Sequence, residues 1–405
     1  MNAYLLDVSG EDHHLRIPFM LALRQRGLRV SGAGTGNPAP FAQAGIDYFP
    51  FPFDRFVNPW ADWIALNAVS KLLVEVRPDL AQSYDTKPNL LVPMAAREVP
   101  GVLAVRIING RGWIYSSGSP RALVLRPIYR ALHRLAARST AATVFEIRDD
   151  QAYFEHHRMA GKNGGLVIPG HIDIERFRQA LAAGPSPARL RDELGLGTSE
   201  IIITVTRMTR QKGIPTLLEA AALVHAVRPG ARFLLVGPRE SEGPFAVTQA
   251  EIERHAPYVM AVGPRSDVPS LLALADLFAF PTEYREGVPR VLLEAALAQL
   301  PIVTTSMPGC RDVVSDGYNG FVIPPREPRT LAVKILHLLN DRRTARAMGS
   351  RAAELVKREF DLGIIADRYA ALYSDLLDRT VRGRSQATRT GESVVSAAGY
   401  PRSWK

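Results

Sequence analysis

The stretch 201-IIITVTRMTRQKGIPTLLEAAALVHAV-227 decides the fold. Ile201–Val205 is a nearly pure β-branched run, which suits a strand buried on both faces. A polar, basic loop follows, and Pro215 then opens a helical pattern to Val227, since proline is well placed in a first helical turn. Similar units recur outward from this one. Phe233–Val236, Tyr258–Val262, Leu277–Phe280 and Ile302–Thr305 read as strands separated by helical patterns. On the amino side Tyr4–Val8, Leu28–Ser31, Pro78–Gln82, Val102–Ile108 and Ala142–Glu146 do the same, with a helix over Leu15–Arg26 stopped at Gly27. Strands alternating with helices imply parallel sheets and right-handed crossovers. The Pro/Gly/Ala-rich 182-AAGPSPA-188 interrupts the pattern, so two open α/β domains in tandem are expected, joined between about residues 165 and 190. Open sheets of this kind bind ligands at the carboxyl ends of their strands, and the cleft between two of them is the expected site.

Composition agrees. At roughly 150 residues per domain, 405 residues suit two or three domains. Apolar residues are 46% and charged residues 22%, which excludes wholesale disorder. A single cysteine, Cys310, leaves no disulfide framework. The opening MNAYLLDVSGEDHH has no basic leader, and apolar runs such as 271-LLALADLFAF-280 are too short to span a bilayer, so a cytoplasmic protein is expected. The net charge is +10, and Arg379–Lys405 supplies half of it with six basic residues against Glu392. That segment reads as a disordered basic tail, and no nucleic-acid motif accompanies it.

Two motifs could carry chemistry. In 205-VTRMTRQKG-213, Arg207, Arg210 and Lys212 follow a strand and precede a helix N-terminus, an arrangement suited to a diphosphate; a solvated basic loop is the alternative. In 281-PTEYREGVPRVLLEAALAQLPIV-303, Glu286 lies in a loop and Glu294 on the second turn of a helix starting near Pro289. Carboxylates suit vicinal hydroxyls, because each accepts two hydrogen bonds. Glu294 could instead be a surface acid, but its neighbours Leu292, Leu293, Ala295, Ala296 and Leu297 disfavour a fully exposed face, and a buried acid needs partners.

These residues resemble a family. The Glu-x7-Glu pair, followed by 308-PGCRDVVSDGYNGFVIPP-325 and accompanied by 262-VGPRSDVPSLLALADLFAFPT-282 and TRMTRQKGIPTLLEA, is similar to the retaining glycosyltransferases of family 4, which have the GT-B fold of two Rossmann-like, doubly wound domains facing across a cleft. In the amino half, 83-SYDTKPNLLVPMAAREVPG-101, 145-FEIRDDQAYF-154 and 168-IPGHIDIERF-177 resemble the branch that builds bacterial surface glycans, including lipopolysaccharide and capsule. The resemblance implies a retaining hexosyltransferase that moves an N-acetylhexosamine or related hexose from a UDP-sugar to a lipid-linked or glycan acceptor at the inner face of the plasma membrane. The nucleotide sugar is a substrate, and no cofactor is implied. A nucleotide-sugar epimerase or hydrolase on the same fold, or a non-catalytic scaffold of a glycan-assembly complex, are the alternatives.

The resemblance assigns the catalytic roles to Glu286, Arg207 and Lys212. Glu286 would hold the transferred sugar, and the two cations would neutralise the leaving diphosphate. Glu294 would take the ribose hydroxyls. Backbone around Gly287, Val288 and Arg290 would touch sugar and phosphate, and Gly263–Arg265 would edge the base while Asp267 caps the next helix. Gly10, Asp85 and Asn109 are the candidate groups on the amino side, with Lys87. Val288-Pro289 stands where the family often has Phe-Gly. Asn109 stands where many members have His. No Asp-x-Asp triplet occurs, so no metal is expected. The implied organisation is an acceptor domain over 1–175, a donor domain over 176–360, a helix over 361–378 crossing back to the amino domain, and the tail 379–405.

Other features point elsewhere. Pro38 and Pro40 after 32-GAGTG-36 argue against a dinucleotide loop. His13 and His14 could face the cleft or be solvated, and His133, His156 and His157 lack metal-ligand spacing. Between Gly101 and Phe145 there is no acid, and Arg126, Arg130, Arg134 and Arg138 recur every four residues beside an apolar stripe of Leu125, Ile128, Leu132 and Leu135. That is an amphipathic basic helix, either lying on an anionic membrane or an ordinary domain helix with solvated or paired arginines.

Overall fold

In a computed structural model, residues 3–51, 58–116, 118–161, 164–239, 243 and 245–395 are described. Two parallel sheets form. The amino sheet contains β1 (Ala3–Ser9), β2 (Leu28–Gly34), β3 (Tyr48–Pro50), β4 (Leu80–Ser83), β5 (Leu103–Ile108), β6 (Thr140–Phe145) and β7 (Leu166–Val167), in the spatial order β3-β2-β1-β4-β5-β6-β7. The carboxyl sheet contains β8 (Glu200–Val205), β9 (Ala231–Val236), β10 (Val259–Ala261), β11 (Leu277–Phe280), β12 (Ile302–Thr305) and β13 (Phe321–Ile323), in the order β10-β9-β8-β11-β12-β13. Ladder registers are parallel throughout both sheets. The strands expected from sequence all form; β3, β7 and β13 are additions of two or three residues.

The carboxyl sheet is buried on both faces. Ile201 and Ile203 point into one apolar layer with Leu292, Leu293 and Ile302, and Ile202 points into the other with Leu217, Leu218 and Leu331. This alternation explains why Ile201–Val205 reads as one β-branched run with no polar face. Each sheet reverses its strand order once, between β1 and β4 and between β8 and β11, and these reversals open the crevices in which ligands of such sheets sit.

The chain passes between domains twice at one place. Ile172 N–H donates to Phe360 O at 2.9 Å and Leu362 N–H to Ile172 O at 3.0 Å, so the outward and return segments run side by side. The last helix, Leu362–Val395, then packs Ile365, Ala366, Tyr369 and Tyr373 into the amino-domain core beside Phe19 and Leu23. It continues past the expected end near Asp378 because nothing stops it there: Arg379 pairs with Asp375 at 2.7 Å and Thr380 Oγ1 donates to Leu376 O at 2.9 Å. Residues 379–395 are therefore helical rather than an irregular tail; residues 396–405 lie outside the described residues.

The basic helix also departs from expectation. It spans Pro120–Ala137 and buries Ala122, Tyr129, His133 and Ala136, leaving Leu123, Val124 and Ile128 exposed. Arg126 Nε donates to Ile114 O at 3.2 Å, Arg130 Nη2 to Tyr153 Oη at 2.8 Å and Arg134 Nε to His157 O at 2.9 Å. Of the apolar stripe, Leu125 and Leu132 pack partly against the same core as Tyr129 and Ala136, and Ile128 stays outside. Among the described residues no helix is long and apolar enough to cross a membrane.

Candidate functional site

The loop after β8 turns through a short 3-10 helix, Arg210–Lys212, capped where Lys212 N–H donates to Thr209 Oγ1 at 3.3 Å. Gly213 ends it with φ +73°, and a Cβ there would lie 1.8 Å from Pro281 O. Only glycine permits this close approach, which seats the β8 loop against the end of β11. Lys212 is consequently buried, and its Nζ reaches both carboxylate oxygens of Glu286, at 2.7 and 2.8 Å. Two motifs 74 residues apart thus meet as one bidentate ion pair at the switch point of the carboxyl sheet. Lys212 also stands 5.6 Å from the ring centre of Phe280 and 5.7 Å from that of Tyr284.

The other two cations of the loop separate. Arg207 is exposed, yet its charge acts on Tyr284: burial and the Glu286 charge push the phenol up, and Arg207 pulls it down. Arg207, Lys212, Tyr284 and Glu286 therefore share one locality. Arg210 turns away to Glu251 at 2.5 Å. The β11 loop is further fixed by Glu283, which accepts from Thr216 Oγ1 at 3.2 Å and Arg326 Nε at 2.5 Å.

Glu294 lies on the helix Arg290–Leu297, half-buried, 3.3 Å from Arg290 Nε. Burial pushes its carboxyl up, and Arg290 offsets part of that. Gly309 brings the start of the Pro308–Arg311 helix against the same loop, since a Cβ there would be 1.8 Å from Gly287 O. Gly263 has φ +71° with no atom within 4 Å of a Cβ position, so its edge is open, and its carbonyl accepts from Gly237 N–H at 2.8 Å. Arg265 does not face that opening. Its guanidinium is taken by Asp267 at 2.6 Å and Glu193 at 2.9 Å. Asp267 occupies the N-cap position of its helix but makes no side-chain cap bond, because Arg265 competes for its carboxylate.

The amino domain closes on the β11 loop. A Cβ on Gly287 would stand 2.6 Å from Asn109 O and 2.5 Å from Glu146 Oε2. Asn109 therefore meets the loop through its backbone. Gly10 and Asp85 are joined at the amino-domain switch point, where Gly10 N–H and Ser9 Oγ both donate to Asp85 Oδ2 at 3.2 Å. Lys87 turns elsewhere, to Asp62 at 2.5 Å. Arg285 bridges the domains to Asp149, which also receives Arg111.

Several participants carry little signal in the sequence. Glu146, at the carboxyl end of β6, accepts the Val288 N–H, which was expected to face the sugar. Burial pushes its carboxyl up to about 7 against the pull of Arg16 and that hydrogen bond. Its cues were its place at the end of the expected strand Ala142–Glu146 and within 145-FEIRDDQAYF-154. His171 stacks on Phe19 at 5.0 Å, and burial with the charges of Arg16 and Arg290 holds it down at about 3, hence neutral. His13 is neither solvated nor in the cleft: it is fully buried and bonded to Asp7 at 2.8 Å, with Gln82 Nε2 on the other Asp7 oxygen at 2.9 Å. Among the described residues no group of three or more His, Cys, Asp or Glu side chains is arranged to hold a metal.

With this geometry in hand, known proteins resemble the chain in two ways. Residues 188–355 match the family model described as "Glycosyl transferases group 1". An N,N'-diacetylbacillosaminyl-diphospho-undecaprenol alpha-1,3-N-acetylgalactosaminyltransferase of Campylobacter jejuni is 25% identical over 378 residues, 92% of this chain and 98% of that protein. A UDP-Gal:alpha-D-GlcNAc-diphosphoundecaprenol alpha-1,3-galactosyltransferase of Escherichia coli is 23% identical over 326 residues, 80% of this chain and 82% of that protein. Among solved structures, Anabaena HepE in complex with UDP aligns with a TM-score of 0.72 at 21% identity, over 93% of this chain and 100% of that one. The sucrose-phosphate synthase of Thermosynechococcus elongatus aligns with a TM-score of 0.74 at 18% identity, over 93% and 100%. The fold is GT-B, and residues 188–355 are similar to the group 1 glycosyl transferases.

Proposed function

We propose that the protein is a retaining, metal-independent glycosyltransferase of family 4 that moves an N-acetylhexosamine or related hexose from a UDP-sugar to a lipid-linked or glycan acceptor in surface-polysaccharide biosynthesis, at the inner face of the plasma membrane. The observation that carries the reading is the Lys212–Glu286 pair at the carboxyl-domain switch point, inside the matched segment. Departure of a nucleoside diphosphate develops negative charge on the leaving oxygens. Lys212, buried, and Arg207 at the rim supply positive charge there, which replaces a metal. Glu286 has an oxygen on each side of Lys212 Nζ, so one can keep the lysine while the other accepts a sugar hydroxyl. It then stands where the developing oxocarbenium needs a counter-charge.

Glu294 exchanges its contact with the exposed Arg290 for the ribose hydroxyls, and the open backbone at Gly263 edges the base. Acceptor groups enter from the Gly10–Asp85 and Asn109 side. Attack on the same face, guided by the departing diphosphate, gives retention. The amino-sugar and lipid-diphosphate chemistry is supported by the relatives named for undecaprenol-diphosphate acceptors.

The test is thermal stability with UDP, GDP and a panel of nucleotide sugars, on wild type and on Arg207→Ala/Lys212→Ala. A ligand at 100 times its Kd adds about 2.7 kcal/mol. Stabilisation by UDP and one UDP-sugar, lost in the double variant, is expected. Absence of a shift with every nucleotide would overturn the reading. Transfer of labelled sugar to a polyprenyl-diphosphate acceptor then assigns the acceptor class.

A further inference from the structure

The switch point of the amino sheet holds a guanidinium whose donors are unused. Arg16 ends the 3-10 helix Glu11–Arg16 that follows β1, and Tyr84 directly follows β4, so their side chains meet where the strand order reverses. The central carbon of the Arg16 guanidinium lies 3.0 Å from the Tyr84 ring centre. Such a stack occupies the face of the guanidinium and leaves its five N–H groups, which lie in the plane, available to donate. Among the described residues they find no acceptor. Nε is buried without a hydrogen-bond partner. Asp7 Oδ1 stands 3.6 Å from it, beyond hydrogen-bond reach, and is already bonded to His13 at 2.8 Å.

The groups around Arg16 put it at the domain junction. Its side chain is 20% exposed, and its charge acts on Glu146, whose carboxyl accepts the Val288 N–H of the β11 loop. It acts as well on His171, which also feels Arg290 of the carboxyl domain. Two other cations that follow amino-sheet strands are committed elsewhere, Lys87 to Asp62 at 2.5 Å and Arg111 to Asp150 at 2.7 Å. A guanidinium partly withdrawn from water with its donors unmade carries a desolvation penalty that an anion would remove. Serving as counter-ion to the buried Asp7 would require charge alone. A flat fork held by its face, with its edge vacant, is what bidentate contact with a phosphate requires.

We infer that Arg16 is a substrate-binding residue whose guanidinium edge takes a phosphate in the cleft from the amino-domain side. Ligands of open parallel sheets lie at such strand-order reversals, so the position is the one a bound phosphate would reach. Asp7 acts as a positioning residue. It is fully buried, fixed by His13 on one oxygen and by Gln82 Nε2 at 2.9 Å on the other, and it holds the charge of Arg16 in place without using its donors. The inference rests on the nucleotide-sugar reading for the source of the phosphate, which is either the leaving diphosphate of the donor or the diphosphate of a lipid-linked acceptor. Both offer the same paired oxygens to the fork.

The experiment is titration calorimetry of the full chain with UDP and with inorganic pyrophosphate, on wild type, Arg16→Gln and Arg16→Lys, together with KM for transfer to a polyprenyl-diphosphate-linked sugar. Lysine restores the charge beside Asp7 but not the fork, so both variants should lose at least tenfold in one of these readouts. If Arg16→Gln fails to fold, Arg16→Lys carries the test, with melting as the control. UDP and pyrophosphate each bound at least tenfold more weakly would support the inference and assign the phosphate to the donor. Unchanged UDP affinity with the acceptor KM raised at least tenfold would support it and assign the phosphate to the acceptor. UDP affinity, pyrophosphate affinity and acceptor KM all within twofold of wild type in Arg16→Lys would make Arg16 a counter-ion of Asp7 and overturn the inference, while leaving the glycosyltransferase reading in place. A wild type that binds pyrophosphate through Arg16 yet binds no nucleotide and transfers no sugar would do the reverse.

Discussion

Glu146 offers the sharpest test of how the two domains meet. Its carboxyl sits between Arg16, Gly170 and the β11-loop backbone, accepts the Val288 N–H, and is pushed by burial from 4.5 to about 7. A raised carboxyl pKa means the folded protein holds a proton that the unfolded chain has already released. Below pH 4.5 both states are protonated and the site costs nothing. As pH climbs from 4.5 to 7 the unfolded state binds fewer protons, so stability falls, and above 7 the full penalty is present. At about 1.4 kcal/mol per pH decade, the interval from 4.5 to about 7 corresponds to about 3 kcal/mol. Solvent still reaches the half-buried side chain, so about 2 kcal/mol is the working figure.

Glu146→Gln removes the titration while its amide oxygen still accepts the Val288 N–H. Urea unfolding of both proteins at pH 5 and pH 8 gives the comparison, because other groups titrate equally in the two and cancel. The variant should gain about 2 kcal/mol on wild type between the two pH values. A difference constant to within about 0.5 kcal/mol would refute the burial argument and with it the close seating of Gly287 on Glu146.

The remaining predictions concern the donor loop and the interface. Lys212→Ala should lower kcat/KM by about 100-fold or more, the usual scale for removing one preorganised charge at a developing anion, with the circular dichroism unchanged. Gly309→Ala would press a methyl group to 1.8 Å from Gly287 O, so unfolding should come about 2–3 kcal/mol sooner, seen as a lower urea midpoint; an unchanged midpoint would mean the helix and loop are not in contact. Arg285 and Asp149 are each about a third exposed, so a double-mutant cycle should return a coupling of about 1 kcal/mol or less. Cys310 is buried and its thiol is pushed up to about 12 by that burial, so the folded protein should resist a thiol reagent that labels it promptly in urea.

How much of this was legible follows from what each residue needs. β8 could be read because a strand covered on both faces favours β-branched residues at every position, and 201-IIITV-205 is β-branched throughout. β3, β7 and β13 could not, because two or three residues hold no period and their pairing is imposed by the strand already in place. Lys212 and Glu286 were separately visible after strands, and the fold supplied their meeting, through a glycine that lets one loop lie on another. Glu146 was invisible for the opposite reason. An acid in FEIRDD looks like any loop acid until a second domain is placed over it, and no pattern within one domain encodes what the other presses against it.

The helix Pro120–Ala137 shows the same limit on a surface. Leucines at 125, 132 and 135 and alanines at 122, 136 and 137 lie on adjacent faces, and either set could be turned inward on period alone. The alanines and Tyr129 are the residues buried in full, Leu125 and Leu132 are buried in part, and Arg126 and Arg130 find carbonyl and phenol partners beside them. The consequence is that Val124 and Ile128 are left exposed. A packing choice made inside the amino domain thus decides which chemistry the outside presents. The Lys212–Glu286 pair is written in loops that follow strands, while the outer face of this helix is set by which of its sides the core accepts.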